Sequence, residues 1–220
     1  MIQFLLVDGK TAMKFNPNSS VVSLLKILSC YMAIIRDTKQ KMNENGDEMV
    51  FYDPLDKTVF VSEFYEESSQ SIPFFVPGDD MNLIFERIIA FALVWCFGGV
   101  LEESSRSIFD NFLKELMSKN DTKVPFPPNE SCFNFYCDLI RKQWTNWTDG
   151  KTGIKLDENN PIELEFVPNN SNAPIYFFSR LLISNNFHTL IHGPESSKTL
   201  IVKYLMNNAL DKTKFDCRIL

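Results

Sequence analysis

Near one end of the chain, Gly193-Pro194-Glu195-Ser196-Ser197-Lys198-Thr199 lies between an apolar, strand-like run, Phe187-His188-Thr189-Leu190-Ile191, and a helix-like run, Leu200–Met206. Strand, glycine, Lys-Thr, helix is the order in which a phosphate-binding loop is built. Such a loop surrounds a phosphate with successive backbone N–H groups, and its lysine and hydroxyl complete the site. Its glycines supply positive φ and let backbone approach oxygen closely. Here no glycine stands between Gly193 and Lys198, and Glu195 adds negative charge where a polyanion would sit. A serine held in the left-handed region costs about 1–2 kcal/mol. Lys198 and Thr199 still open a helix, whose positive end favours an anion. By themselves, these residues also suit an ordinary strand-to-helix turn.

The 220 residues are enough for one or two domains with a sizeable core. Apolar residues make up 45% and charged residues 23%, a globular balance. A net charge of −6 argues against a general nucleic-acid binder and offers no polybasic membrane patch. The five cysteines, Cys30, Cys96, Cys132, Cys137 and Cys217, are scattered and read as buried free thiols in a reducing compartment. Cys132 and Cys137 lack zinc-ligand spacing. His188 and His192 would share one side of a strand and are expected to pack rather than bind metal. The apolar run Ile88–Leu101 is short for a bilayer and reads as a buried helix. No secretory signal opens the chain, so a cytoplasmic location is expected.

Helical spacing of Val21, Leu24, Leu25, Leu28, Met32 and Ile35 predicts an amphipathic helix from Val21 to about Lys41, capped within Asn18-Ser19-Ser20. Gln40 to Asn82 holds ten acidic residues, two lysines and three prolines, and reads as an acidic connector with a short strand at Thr58–Val61. Leu83 to Phe97 reads as a buried helix ended by Gly98-Gly99. Ser104 to Met117 follows as a helix with Ile108, Phe109, Phe112, Leu113 and Leu116 on one face, and Arg106 and Asp110 outside. Lys123–Pro128 is too proline-rich to be helical. Cys132–Leu139 and Gln143–Trp147 form a predicted hairpin, with Trp144 and Trp147 as packing anchors. Pro161–Pro168 is read as extended, Ile175–Ser184 as a helix and Phe215–Leu220 as a further strand.

The order of these motifs resembles dynein heavy chain. Phe91-x-x-x-Trp95-x-x-Gly98-Gly99 followed by Arg106-x-x-Phe109-Asp110-x-Phe112-Leu113 is similar to the paired helices ahead of that family's third AAA+ module. Val124–Pro128, Phe133–Tyr136 and Trp144–Trp147 resemble its Pro-rich turn and hairpin, and Ser23–Leu28 resembles the helical lid of its second module. Val167-Pro168 resembles the linker entering a nucleotide site. The resemblance implies a mixed α/β, mainly helical fold. In it, residues 1–82 are a helical lid with an acidic connector and residues 83–160 a buried helix pair and hairpin. Residues 161–220 are then the first strand, P-loop, helix and strand of a truncated AAA+ domain.

The family is an ATP-driven microtubule motor of the cytoskeleton, including the cilium and flagellum axoneme. The resemblance therefore implies ATP or ADP with Mg at Val167, Pro168, Gly193, Pro194, Ser197, Lys198 and Thr199, with Thr199 as metal ligand. The family's P-loop carries one more residue and two inner glycines, so binding is expected to be weak or lost. With no Walker B carboxylates or sensors after the loop, no catalytic residue is assigned. Whether the chain is an enzyme stays open. The implied partners are the remaining ring modules, with microtubules and other dynein chains reached through the full motor. Two alternatives stand beside this reading: a stand-alone P-loop nucleotide-binding protein, and a non-catalytic helical interaction module.

Overall fold

The computed structural model describes residues 1–2, 5, 9–12, 15–44, 80–139, 141–148, 169–192, 197–210 and 212–218. It divides into two compact units, Met1–Gln40 with Pro73–Asn146, and Lys41–Ile72 with Trp147–Leu220.

In the first unit, α1 spans Pro17–Glu44. Its cap stands two residues ahead of the expected Asn18–Ser20 segment. Asn16 Oδ1 accepts the Asn18 N–H at 3.0 Å, and Pro17, which has no N–H to satisfy, takes the first helical position. The buried face is Ile27, Cys30, Tyr31, Ile34 and Ile35, whereas Val21, Leu25 and Met32 from the expected stripe are exposed, Leu25 by 60%. The helix carries apolar residues at helical spacing on two sides, so periodicity alone does not choose between them. The edge-on packing of Tyr31 against Phe91, with ring centroids 6.3 Å apart, identifies the side that faces the core.

Helix α2, Met81–Leu93, begins where the Asp80 side chain accepts the Asn82 N–H at 2.9 Å. It buries Ile84, Ile88, Ala90, Phe91 and Ala92, then widens into a π-helical turn, Val94–Gly98. Pro17–Arg36 and Met81–Gly98 are each long and apolar enough to cross a membrane, a test that core helices of soluble proteins also pass. Both contribute buried residues to the core of this unit. The turn after Gly98 is held from the N-terminal segment. Thr11 bridges Leu101, Ala12 N donates to Val100 O at 2.9 Å, and Glu102 N donates to Lys10 O at 2.9 Å.

Helix α3, Glu103–Lys119, buries Ser105, Phe109, Asp110, Leu113 and Met117. Its core face is rotated from the expected one: Ile108 and Leu116 are exposed, and Asp110 points inward rather than out. The Pro-rich turn is non-helical, as expected, and leads to a 3-10 turn, Cys132–Asn134, and the hairpin. Strand β1 (Phe135–Asp138) pairs antiparallel with β2 (Gln143–Asn146), with Cys137 opposite Trp144. All four residues of β1 are buried. Asp138 Oδ1 closes the loop by accepting the Arg141 N–H at 2.9 Å, while Lys142 takes φ of 56°. Trp144 stacks on Phe126 at 4.1 Å and donates from Nε1 to Val124 O at 3.1 Å, so it anchors the proline turn to the hairpin.

Gly98 makes the first unit possible. A Cβ there would stand 2.6 Å from Phe133 Cζ and 2.7 Å from Phe109 Cε1. One at Gly99 would meet the Trp95 carbonyl oxygen, a backbone atom that cannot move aside.

In the second unit, Asn169 Oδ1 accepts the N–H groups of Ser171 and Asn172, both at 2.9 Å, and this turn launches α4 (Ala173–Ser184) with Pro174 near its start. Trp147 is fully buried and meets Phe177 edge-on at 5.6 Å. Helix α5, Ser197–Tyr204, continues as a π-helical turn, Leu205–Ala209. Ile201 and Leu205 are buried, and Tyr204 meets Tyr176 at 5.7 Å.

The predicted strands around the loop do not form. Phe187–Ile191 and Phe215–Arg218 are irregular, and Leu190 is 92% exposed. A strand before a phosphate loop is stable when parallel neighbours satisfy its backbone and helices cover both its faces. Among the described residues no such neighbour exists, and β1 with β2 is the only sheet. His188 and His192 lie exposed on this segment, not packed. Thr58–Val61 and Pro161–Pro168 lie outside the described residues.

Gly98→Ala is expected to cost about 1–3 kcal/mol through forced displacement of Phe133 and Phe109. Urea unfolding measures it, and Phe133→Leu in the same background should recover part of the loss. An undiminished urea midpoint in Gly98→Ala would sink the close-packing account.

Candidate functional site

Only part of the proposed phosphate loop can be placed. Val167, Pro168, Gly193 and Pro194 lie outside the described residues. Ser197, Lys198 and Thr199 form the first turn of α5, with Lys198 half-buried and Thr199 exposed. The helix start is thus present, and Ile201 and Leu205 seat it by their apolar side. The described residues contain no group of three or more His, Cys, Asp or Glu able to hold a metal ion.

The best-built constellation lies in the first unit, on the residues Trp95, Gly98, Arg106, Phe109, Asp110 and Phe133. Phe133 enters the space that Gly98 leaves open. Its ring meets Trp95 edge-on at 5.7 Å and Phe109 at 5.9 Å, and the Arg106 guanidinium carbon lies 5.0 Å from its centroid. Asp110 ties the same turn to α3. Its Oδ1 accepts the buried Cys132 N–H at 2.7 Å, and its Oδ2 accepts from Lys114 Nζ at 2.8 Å. Lys114 also donates to Glu130 O at 2.5 Å, and Asn146 Nδ2 donates to Glu130 Oε2 at 3.0 Å. One carboxylate and one ammonium therefore join helix, turn and hairpin.

This arrangement positions elements; it does not activate a nucleophile. Burial pushes the Cys30 thiol from 9.0 up to about 11 and Cys96 up to about 12. Burial, reinforced by the Asp110 carboxylate, carries Cys132 higher still, and burial also raises Cys137. The expectation of buried free thiols is met at these four positions, while Cys217 is half-exposed.

Motif order pointed to Arg106, Phe109 and Asp110, but the sequence reading put Arg106 and Asp110 on the solvent side and missed Lys114 and Glu130. The available signal was the i,i+4 spacing of Asp110 and Lys114. The bond from Asp110 to the Cys132 N–H crosses 22 residues and leaves no local pattern.

Aromatic packing and one buried carboxylate thus join the helix pair to the small hairpin. Residues 57–149 match the family described as the Dynein heavy chain AAA lid domain. Among curated relatives, a flagellar inner arm I1 Dynein-1-beta heavy chain of Chlamydomonas reinhardtii is 32% identical over 127 residues, which cover 57% of this chain and 3% of the relative. Dynein axonemal heavy chain 11 of Sus scrofa is 26% identical over 54% of this chain and 3% of its own length. Dynein axonemal heavy chain 12 of Rattus norvegicus is 28% identical over 61% of this chain and 5% of its own length. The resemblance to dynein heavy chain is thereby shown, with the AAA lid as its matched part. The chain spans only about 3–5% of the length of these relatives.

Asp110→Ala leaves the buried Cys132 N–H without its acceptor and is expected to cost about 1–3 kcal/mol, measured by urea unfolding. Asp110→Asn, which keeps an oxygen acceptor, should cost less. Equal losses in the two variants would show that the acceptor is not what matters.

The raised thiols make a second prediction. Below pH 9.0 they are neutral in folded and unfolded chains alike; above it, only the unfolded chain ionises freely. Stability is therefore full below pH 9 and declines as pH rises toward about 11 for Cys30 and about 12 for Cys96. Cys30→Ala with Cys96→Ala should flatten that decline in urea midpoints taken across the range.

Proposed function

We propose that the chain is a structural segment of a dynein motor ring, in which the helix pair and hairpin act as a rigid lid between AAA+ modules. The observation that carries this reading is the coincidence of the Trp95-Gly98-Phe133-Asp110 lock with the matched lid residues. A lid that transmits movement between modules must itself deform little, and close aromatic packing around a glycine notch resists deformation. On this reading residues 1–82 form a preceding lid and connector, and 161–220 open the next AAA+ module. Its partners are the other ring modules, and microtubules are engaged through the full motor. The flagellar and axonemal names of the relatives support a place in the cilium or flagellum.

We further infer that the nucleotide site is degraded. Glu195 and the lack of inner glycines oppose a triphosphate, while Lys198 and Thr199 remain at the start of α5 as relics or weak ligands of ATP or ADP with Mg. Titration of the chain with Mg-ATP should give weak or no binding, unchanged by Lys198→Ala. Tight binding abolished by that substitution would instead favour a stand-alone P-loop protein.

The lid reading is tested by a graft. Residues 57–149 replace the matched stretch of the Chlamydomonas heavy chain, and ATP-driven microtubule gliding is measured. Gliding is expected to persist with the unaltered graft and to weaken with Asp110→Ala. A folded graft that cannot support gliding would overturn the proposal.

A further inference from the structure

A strap of four residues, Gly9–Ala12, holds the turn that carries Gly98. Lys10 gives both of its backbone groups to the start of α3. Its N–H donates to Ser105 Oγ at 3.1 Å, and its carbonyl accepts the Glu102 N–H at 2.9 Å. The Glu102 N–H is the group that a capping-box side chain satisfies in other helices; here a distant segment satisfies it. Thr11 bridges Leu101, and the Ala12 N–H donates to Val100 O at 2.9 Å. Gly9 lets the strap approach: a Cβ there would stand 2.8 Å from Leu101 Cδ2 and 3.3 Å from Leu5 Cα. Leu5, Leu101 and Ser105 are buried, whereas Lys10 and Ala12 are exposed. The strap is therefore lightly held, by three hydrogen bonds and little apolar burial of its own. Segments of this kind open well below global unfolding.

We propose that Gly9–Ala12 is a releasable latch, which detaches as one unit and whose release loosens the turn Gly98–Glu102 while the Asp110 anchor stays made. The coupling runs through bonded neighbours. Thr11 holds Leu101, the Leu101 N–H donates to Gly98 O at 3.0 Å, and Gly98 is the notch that admits Phe133. The bond from Asp110 to the Cys132 N–H shares no atom with this path. A pull on residues 9–12 thus reaches the glycine notch before it reaches the anchor. The inference goes beyond the lid reading, since the latch belongs to the fold of this unit whatever the unit is joined to.

The test is amide hydrogen exchange of the whole chain, followed by NMR at Leu101, Glu102 and Cys132. Two variants release the strap by different means. Gly9→Val drives a branched side chain into Leu101, and Ala12→Pro removes the N–H that Val100 O accepts without adding bulk to the core. In both, the Glu102 and Leu101 amides should exchange about tenfold faster or more, while the Cys132 amide stays close to its wild-type rate. Leu101 is the decisive probe, because its acceptor is Gly98 O and no strap atom. Faster exchange at Glu102 with Leu101 unchanged would make the strap an inert cover and overturn the proposal. Equal acceleration at Cys132 in both variants would make the strap part of one global unit and overturn it too, as would no acceleration at all. The lid graft can fail while these results hold, and the reverse, so the two proposals are tested separately.

Discussion

The first unit depends on a missing side chain. Gly98 has no Cβ, and Phe133 stands where one would project. The benzyl ring brings with it the 3-10 turn and the start of β1, and it contacts α2 through Trp95 and α3 through Phe109. The π-helical turn at Val94–Gly98 belongs to the same arrangement, since it sets where Trp95 and Gly98 face before the chain reverses. Close packing is unforgiving at such a point: even one methyl group must displace two aromatic rings.

Around this apolar contact, a small number of polar bonds select one geometry. Asp110 is buried, and both of its oxygens are used. An aspartate in that position would be costly without partners, so its value lies in specifying where the turn at Cys132 must sit. Trp144 does the equivalent on the other side of the hairpin, where its ring covers Phe126 and its N–H takes the Val124 carbonyl. The Arg-x-x-Phe-Asp motif of α3 thus has a separate physical task for each member: ring cover, core and turn anchor.

Sequence and structure part company where contacts are long-range or where a helix offers two apolar sides. Element types were legible for α1 to α5 and the hairpin, because local spacing, prolines and glycines mark them. The core faces of α1 and α3 were less so. Leu25 and Ile108 fit a helical stripe as well as Ile27 and Phe109 do, and only the neighbours decide between them. Asp110 was legible as a motif residue but not as a buried one, because its acceptor role depends on a turn 22 residues away. The strand expected at Phe187–Ile191 was a reasonable local reading, but among the described residues it has none of the neighbours a parallel strand requires.

The amino-acid sequence by itself determined the mainly helical character, the hairpin with Trp144 as its anchor, the glycine pair that ends α2 and the dynein-like order of motifs. These follow from local periodicity, backbone restriction and side-chain chemistry, which act within a few residues. Tertiary structure alone decided which stripe of each helix faces inward, that Asp110 is an internal anchor, and that Gly98 is the socket for Phe133. It also decided that Phe187–Ile191 remains irregular. Each of these outcomes depends on groups brought together from distant positions, and burial is a property of the assembled contact rather than of any residue within it.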